Sequence, residues 1–281
     1  MPAVAAATSL PMGACDCHMH VYGGPGPVAA PFPIPAATVD GYRAVMARLG
    51  LSRVVVVPSM LYANDNSIML SAMRELGACA RGVAIVDPSP ADADIETLHA
   101  AGVRGARAFM LGRGACDWRD LPGLAERIAP LGWSLHVQLD GRELESRAET
   151  LASLAAPVVI DHVGKFLEPV AIDHPAFLAL RRLVQAGRCW VKLSGFYETS
   201  RSGPPDYADV SVLAAALIAD APERMLWGSN WPHPNLRPPP DDGALVGHFV
   251  ALVPDAKARA RILVDNPALL FGFPPIEGER R

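Results

Sequence analysis

Residues 15–21 read CDCHMHV and place two histidines, His18 and His20, two positions apart behind Asp16. Imidazoles at that spacing suit three roles: metal ligation, general acid–base work, or plain hydrogen bonding on a strand. Side chains alternate along a strand, so Asp16, His18 and His20 share one face and Cys15, Cys17, Met19 and Val21 the other. The apolar set is expected to face covering helices, which turns the aspartate and both histidines inward. Asp16 then stands where it could orient a histidine.

Four further stretches carry chemistry. IDHVGKF puts His162 directly after an apolar run, with Lys165 three residues on. LWGSNWPHP places Asn230 where a strand gives way to a loop. GVRGARAFMLGR offers Arg107 at a strand end and Arg113 in the following loop, two guanidinium groups suited to a carboxylate. PSMLYANDNS supplies Ser59, Tyr62, Asn64 and Asn66 as polar contacts, and Gln138 and Tyr197 close two other strands.

These residues need elements to hold them. Eight short runs rich in β-branched residues recur along the chain: 14–21, 53–57, 82–86, 103–109, 133–138, 157–161, 189–194 and 225–229. Several are continuously apolar, as parallel strands covered on both faces are. Between them the apolar spacing is helical. In VDGYRAVMARLG, Val39, Tyr42, Val45, Met46 and Leu49 form one stripe and Gly50 a stop. HPAFLALRRLVQAG behaves alike, and PDAKARARILVDNP is expected to end at Pro267.

Eight strand–helix repeats within 281 residues fit a (β/α)8 TIM barrel filling residues 1–281 as one domain, with 1–13 as an extension and 274–281 as a flexible tail. A doubly wound open sheet is the alternative, weakened by the lack of G-x-G-x-x-G after the first strand. Long Gly- and Pro-rich loops follow strands one, seven and eight, at the end where such a barrel builds its site.

Composition narrows the function classes. Apolar residues make up 51% and charged residues 19%, which suits a globular chain. A net charge of −4 without Lys/Arg blocks predicts no nucleic-acid partner. No apolar run approaches the roughly 18 residues that span a membrane. Five scattered cysteines and an N-terminus lacking a basic segment point to a cytoplasmic protein.

H-x-H on the first strand, DHVGKF after the sixth, GFYETSR, APERMLWGSNWPH and the closing NPALLFGF together resemble the amidohydrolase superfamily. Within it they resemble the group of D-galactarolactone isomerase and 2-pyrone-4,6-dicarboxylate hydrolase, over nearly the whole chain. The resemblance implies a distorted barrel, a small carboxylated lactone as partner, and catalysis without a metal. Metal-dependent members carry a histidine near the end of strand five and an aspartate on strand eight, where this chain has Gln138 and Asn230. His18 and His20 alone fall short of the three protein ligands usual for catalytic zinc. If a metal is bound, those two hold it.

Asn230 also bears on reaction type. In the hydrolases an aspartate there is expected to activate water, and an amide cannot take the proton. Attack by the substrate's own hydroxyl needs no water and gains from proximity. Isomerisation is therefore expected, with lactone hydrolysis as the alternative. A non-catalytic small-molecule binder is the reading of another class. The expected site comprises His18, His20, His162 and Asn230 as catalytic groups, with Arg107, Arg113, Ser59, Tyr62, Gln138, Lys165 and Tyr197 around the substrate. The histidines are expected to donate hydrogen bonds to the oxyanion, and one of them, with Asn230 positioning the incoming hydroxyl, to handle the proton. A homo-oligomer is left open.

Overall fold

A computed structural model describes residues 10–30, 33–112, 114–234, 236 and 238–275. Eight parallel strands follow one another in chain order around a single sheet: β1 (Cys15–Met19), β2 (Arg53–Val56), β3 (Ala80–Ala84), β4 (Val103–Phe109), β5 (Ser134–Gln138), β6 (Val158–Ile160), β7 (Cys189–Leu193) and β8 (Met225–Trp227). Sequential order is that of a barrel; the doubly wound alternative requires a strand-order reversal. Closure runs through two backbone bonds beyond the ladder, Asn230 N–H to His18 O at 2.8 Å and His20 N–H to Trp231 O at 2.8 Å.

Helices α1 (Val39–Leu49), α2 (Ser67–Leu76), α3 (Asp92–Ala100), α4 (Leu121–Ile128), α5 (Leu144–Ser153), α6 (Pro175–Gln185), α7 (Ala208–Asp220) and α8 (Asp242–Leu252) each follow the strand of the same number. Helix α1 shows how local sequence sets them. Thr38 caps its start by accepting from Gly41 N–H, and Gly50, at φ 73°, ends it in the left-handed conformation. Val39, Tyr42, Val45 and Leu49 are buried as the stripe requires, while Met46 is half-buried.

The C-terminal segment departs from expectation. Helix α9 (Ala256–Ala260) passes through a π-helical stretch, Arg261–Asp265, into α10 (Asn266–Phe271). Pro267 therefore starts a helix instead of ending one, since its missing N–H costs nothing in a first turn. Strand β3 begins two residues before the apolar run GVAIV and stops within it. Asn66 explains the stop: its side chain bonds Ile85 N–H at 3.0 Å and Ile85 O at 2.7 Å, drawing the chain off the ladder. Pro274 O accepts from Arg53, so the tail begins anchored; 276–281 lie outside the described residues.

Two apolar layers sandwich the strands. One lies between strands and helices and includes Met19, Val54, Val56, Leu135 and Val191. The other fills the barrel: Cys15, Cys17, Val55, Val83, Val159, Trp190 and Leu226, closed by Phe271 and Phe273. This reverses the expected phase of β1. Its cysteines point into the barrel floor, and Asp16 points outward to the Tyr42 hydroxyl of α1, 2.8 Å away. A register irregularity between Asp16 and Met19 then shifts the alternation, so His18 also turns inward.

Candidate active site

Above the apolar floor lies a buried polar layer built from facing strands. Lys192 on β7 is fully buried; its Nζ stands 3.1 Å from Asp161 Oδ1 and 2.9 Å from His18 Nδ1. Arg107, near the end of β4, donates to Pro58 O at 2.8 Å and Gln138 Oε1 at 2.5 Å, and its Nη2 lies 3.4 Å from Asp161 Oδ2. One carboxylate is thus shared by two cations. Burial opposes ionisation of Asp161, but Lys192, His18 and Arg107 outweigh it and hold its pKa well below the usual range. Burial in turn pulls Lys192 down from its ordinary value, with Asp161 resisting.

Over this layer opens a cavity of about 250 Å³ at the carboxyl ends of the strands. Its polar wall comprises His20, Tyr22, Ser59, Arg107, Gln138, His162, Lys165, Glu198 and Asn230, and Met60, Phe109 and Pro234 supply apolar rim. That volume suits a small metabolite. Lys165 pairs with Glu198. Burial works against the Glu198 carboxylate, yet His162, Lys165 and the Asn230 amide together lower its pKa to about 2.

The histidines differ in what they present. His20 Nδ1 lies 2.7 Å from Val57 O, a group that only accepts, so Nδ1 carries the proton and Nε2 is a lone pair. Burial, then Arg107, lowers its pKa to about 3. His162 Nδ1 meets Ser194 Oγ at 2.8 Å, and burial lowers its pKa to about 4. Both rings are therefore neutral near pH 7. His18 does not line the cavity. It sits behind, its ring centroid 4.9 Å from that of His20 and 4.8 Å from that of His162, with Lys192 donating to Nδ1. Burial, then Lys192, keeps it neutral as well.

Local backbone supports these positions. His162 at φ 55° and Asn230 at φ 59° occupy the left-handed region, which side chains adopt only where surroundings fix them. Gly195 is required for His162: a Cβ there would come 2.8 Å from His162 Nδ1, and its φ is +61°. Gly228 likewise lets β8 approach β1, since a Cβ would lie 2.8 Å from the His18 Cβ.

Asn230 is held at its amide nitrogen, which donates to Glu198 Oε1 at 2.7 Å and Tyr197 OH at 2.9 Å. Tyr197 OH meets His233 Nδ1 at 2.7 Å, and His233 Nε2 reaches Asp242 Oδ1 at 2.9 Å. What Asn230 retains for a ligand is its carbonyl oxygen.

The structure gathers His20, His162, Asn230, Arg107, Ser59, Gln138 and Lys165 around one cavity, as the sequence predicts. It moves others. Tyr62 is spent on the loop after β1, accepting from Gly23 N–H and donating to Gly24 O. Tyr197 stands behind Asn230. Asn64 pairs with Asp87 and Asn66 holds β3, so neither reaches the cavity. Asp16 orients no imidazole: it accepts from Ser229 N–H and Oγ–H, Tyr42 OH and the His18 backbone. Of the two roles expected of the histidines, oxyanion donor and proton carrier, the accepting free nitrogen of His20 suits the second. Arg113 lies outside the described residues.

Sequence reasoning missed Lys192, Asp161 and Glu198. Lys192 had a signal: in CWVKLS it shares parity with Trp190, so a lysine is turned into the barrel. Asp161 and Glu198 lay inside stretches read for their histidine and tyrosine.

Zinc-type ligands are also present, because His18, Asp161 and His162 bring donor atoms within 4.8 Å of one another. A divalent ion there would meet the Lys192 ammonium and the Arg107 guanidinium across a single carboxylate. The donor set does not fit a metal while Lys192 keeps its charge.

The amidohydrolase family model Amidohydro_2 matches residues 15–273. D-galactarolactone isomerase of Agrobacterium fabrum is 37% identical over 96% of this chain and 94% of its own length. The 2-pyrone-4,6-dicarboxylate hydrolase of Comamonas testosteroni is 36% identical over 93% of this chain and 91% of its own. A ligand-free crystal structure from Agrobacterium tumefaciens superposes with a TM-score of 0.89 at 37% identity, covering 96% of this chain and 99% of that one.

Proposed function

The chain belongs to the amidohydrolase family and is an enzyme of it, and from that premise we propose that it isomerises a small carboxylated lactone of the sugar-diacid type without a metal. The observation that carries this reading is the pairing of a lone-pair nitrogen, His20 Nε2, with an amide at position 230 that cannot act as a base. Lactone-acting relatives of both reaction types support the substrate class.

In the proposed step the substrate carboxylate rests against the Arg107 and Lys165 side of the cavity. A substrate hydroxyl directed at His20 Nε2 attacks the lactone carbon and passes its one proton to that nitrogen, while the Asn230 carbonyl accepts from a neighbouring substrate hydroxyl and holds the ring in place. Ser194 donates to His162 Nδ1, which leaves His162 Nε2–H to donate to the growing oxyanion. Collapse breaks the original ring C–O bond, and the proton on His20 goes to the departing oxygen. One ring size becomes another with no water consumed. His18 contributes by fixing Asp161 and Lys192 beneath, not by touching substrate.

One observation favours hydrolysis as a second reading: the His20 lone pair would equally accept a proton from water. Incubation of chelator-stripped enzyme with the 1,4- and 1,5-lactones of galactarate in oxygen-18 water, followed by NMR and mass spectrometry, separates the two. Interconversion without label is the expected result. Label in an opened diacid transfers the reading to the hydrolase. Activity that dies in chelator and returns with zinc or manganese overturns the metal-free step. Five free cysteines accord with a cytoplasmic setting, and no helix among the described residues is long and apolar enough to cross a membrane.

A further inference from the structure

In the buried layer His18 Nε2 has no hydrogen-bond partner, and Asp161 Oδ1 makes no aligned hydrogen bond, meeting only the Lys192 ammonium at 3.1 Å and His18 Nδ1 at 3.5 Å. Buried polar atoms are nearly always satisfied, so these two mark the place where the contacts of this layer fall short. Both belong to the one cluster of imidazole and carboxylate donors, His18, Asp161 and His162, found among the described residues. The three come from β1, the end of β6 and the turn after it, so the barrel itself sets their separation. Two imidazoles and one carboxylate form a three-ligand set with room for a fourth, open position.

Lys192 stands in that set. Its Nζ lies 3.1 Å from Asp161 Oδ1 and 2.9 Å from His18 Nδ1, fully buried and bridging two of the three donors. We propose that Lys192 is a built-in cation occupying a latent divalent-metal site, and that removing its ammonium lets His18, Asp161 and His162 bind zinc or cobalt(II). This rests on the metal-free reading above and explains it: the ammonium supplies the positive charge Asp161 needs and repels a second cation. Arg107 remains 3.4 Å from the other Asp161 oxygen, so Oδ1 is the one released.

The test is cobalt(II) titration of chelator-stripped wild type, Lys192→Met and Lys192→Gln, read by visible d–d absorption and dialysis with elemental analysis. The variants are expected to take up one equivalent, on the order of 100-fold more tightly than wild type. Adding Asp161→Asn to either variant abolishes the uptake. Wild type binding as tightly as the variants overturns the proposal, as does a folded variant that binds none. Should both variants fail to fold when stripped, refolding with and without cobalt decides: recovery of native circular dichroism only with metal supports the latent site, and none overturns it. Turnover plays no part in these readouts, so failure of the lactone reading would register in the oxygen-18 assay alone.

Discussion

His20 and His162 are both imidazoles over one cavity, yet their partners divide the work between them. A backbone carbonyl fixes the His20 proton on Nδ1 and leaves the other nitrogen bare, whereas Ser194 can donate to His162. With pKa values lowered by burial to about 3 and about 4, neither ring titrates near neutrality. kcat/KM is therefore expected to stay flat from pH 8 to about pH 5, without the inflection near 6.5 of an ordinary imidazole. An inflection near 6.5 that His20→Gln removes would contradict the buried neutral base. His20→Gln is expected to lower kcat by ~10²–10⁴-fold, measured against circular dichroism that stays native. The identities of these residues were legible in H-x-H and DHVGKF. Their partners were not, because each comes from beyond the end of another strand: the Val57 carbonyl, which fixes the His20 proton, and the Ser194 hydroxyl against His162.

The elements that hold this site are joined by a few polar seams. Asp16 ties β1 to the end of β8 through Ser229 and to α1 through Tyr42, all buried. Tyr42→Phe removes one donor to a buried carboxylate and is expected to lower unfolding free energy by about 1–3 kcal/mol, read from denaturant midpoints. No change in midpoint would show that Asp16 is satisfied without it. Gly195→Ala acts differently, driving a Cβ toward His162 at a left-handed position. It is expected to cost most of kcat while KM moves less, since the displaced group is a proposed transition-state donor. All eight strands were readable from their apolar runs, because parallel strands covered on both faces need little else. The phase of β1 was not. Alternation predicts facing only while register is regular, and the irregularity after Asp16 breaks it. Strand β3 failed at its end for a kindred reason, a side-chain competitor from a distant loop.

At the scale of the molecule, the buried neutral histidines couple stability to pH. Their folded pKa values lie below the unfolded value of about 6.5, so the unfolded chain binds more protons as pH falls. The stability they confer is complete above about pH 6.5 and is lost as pH drops toward their folded values. Tm is expected to fall on the order of 5 °C between pH 7 and pH 5, and His20→Gln should flatten the slope. A Tm that is level across this interval would mean the rings are already protonated in the fold. The sequence by itself determined a sequential barrel, the end of it that carries chemistry, and most of the side chains around the cavity. Strand composition and loop position are local properties, and they suffice for that. Only the tertiary structure decided what those side chains do: that Lys192 neutralises Asp161, that His20 accepts, and that His18 stands behind the site. Each of those facts depends on a partner brought across the barrel, such as Lys192 beside His18 at a separation of 174 positions along the chain. Protonation, charge and reach are set by such neighbours, and no spacing along one strand contains them.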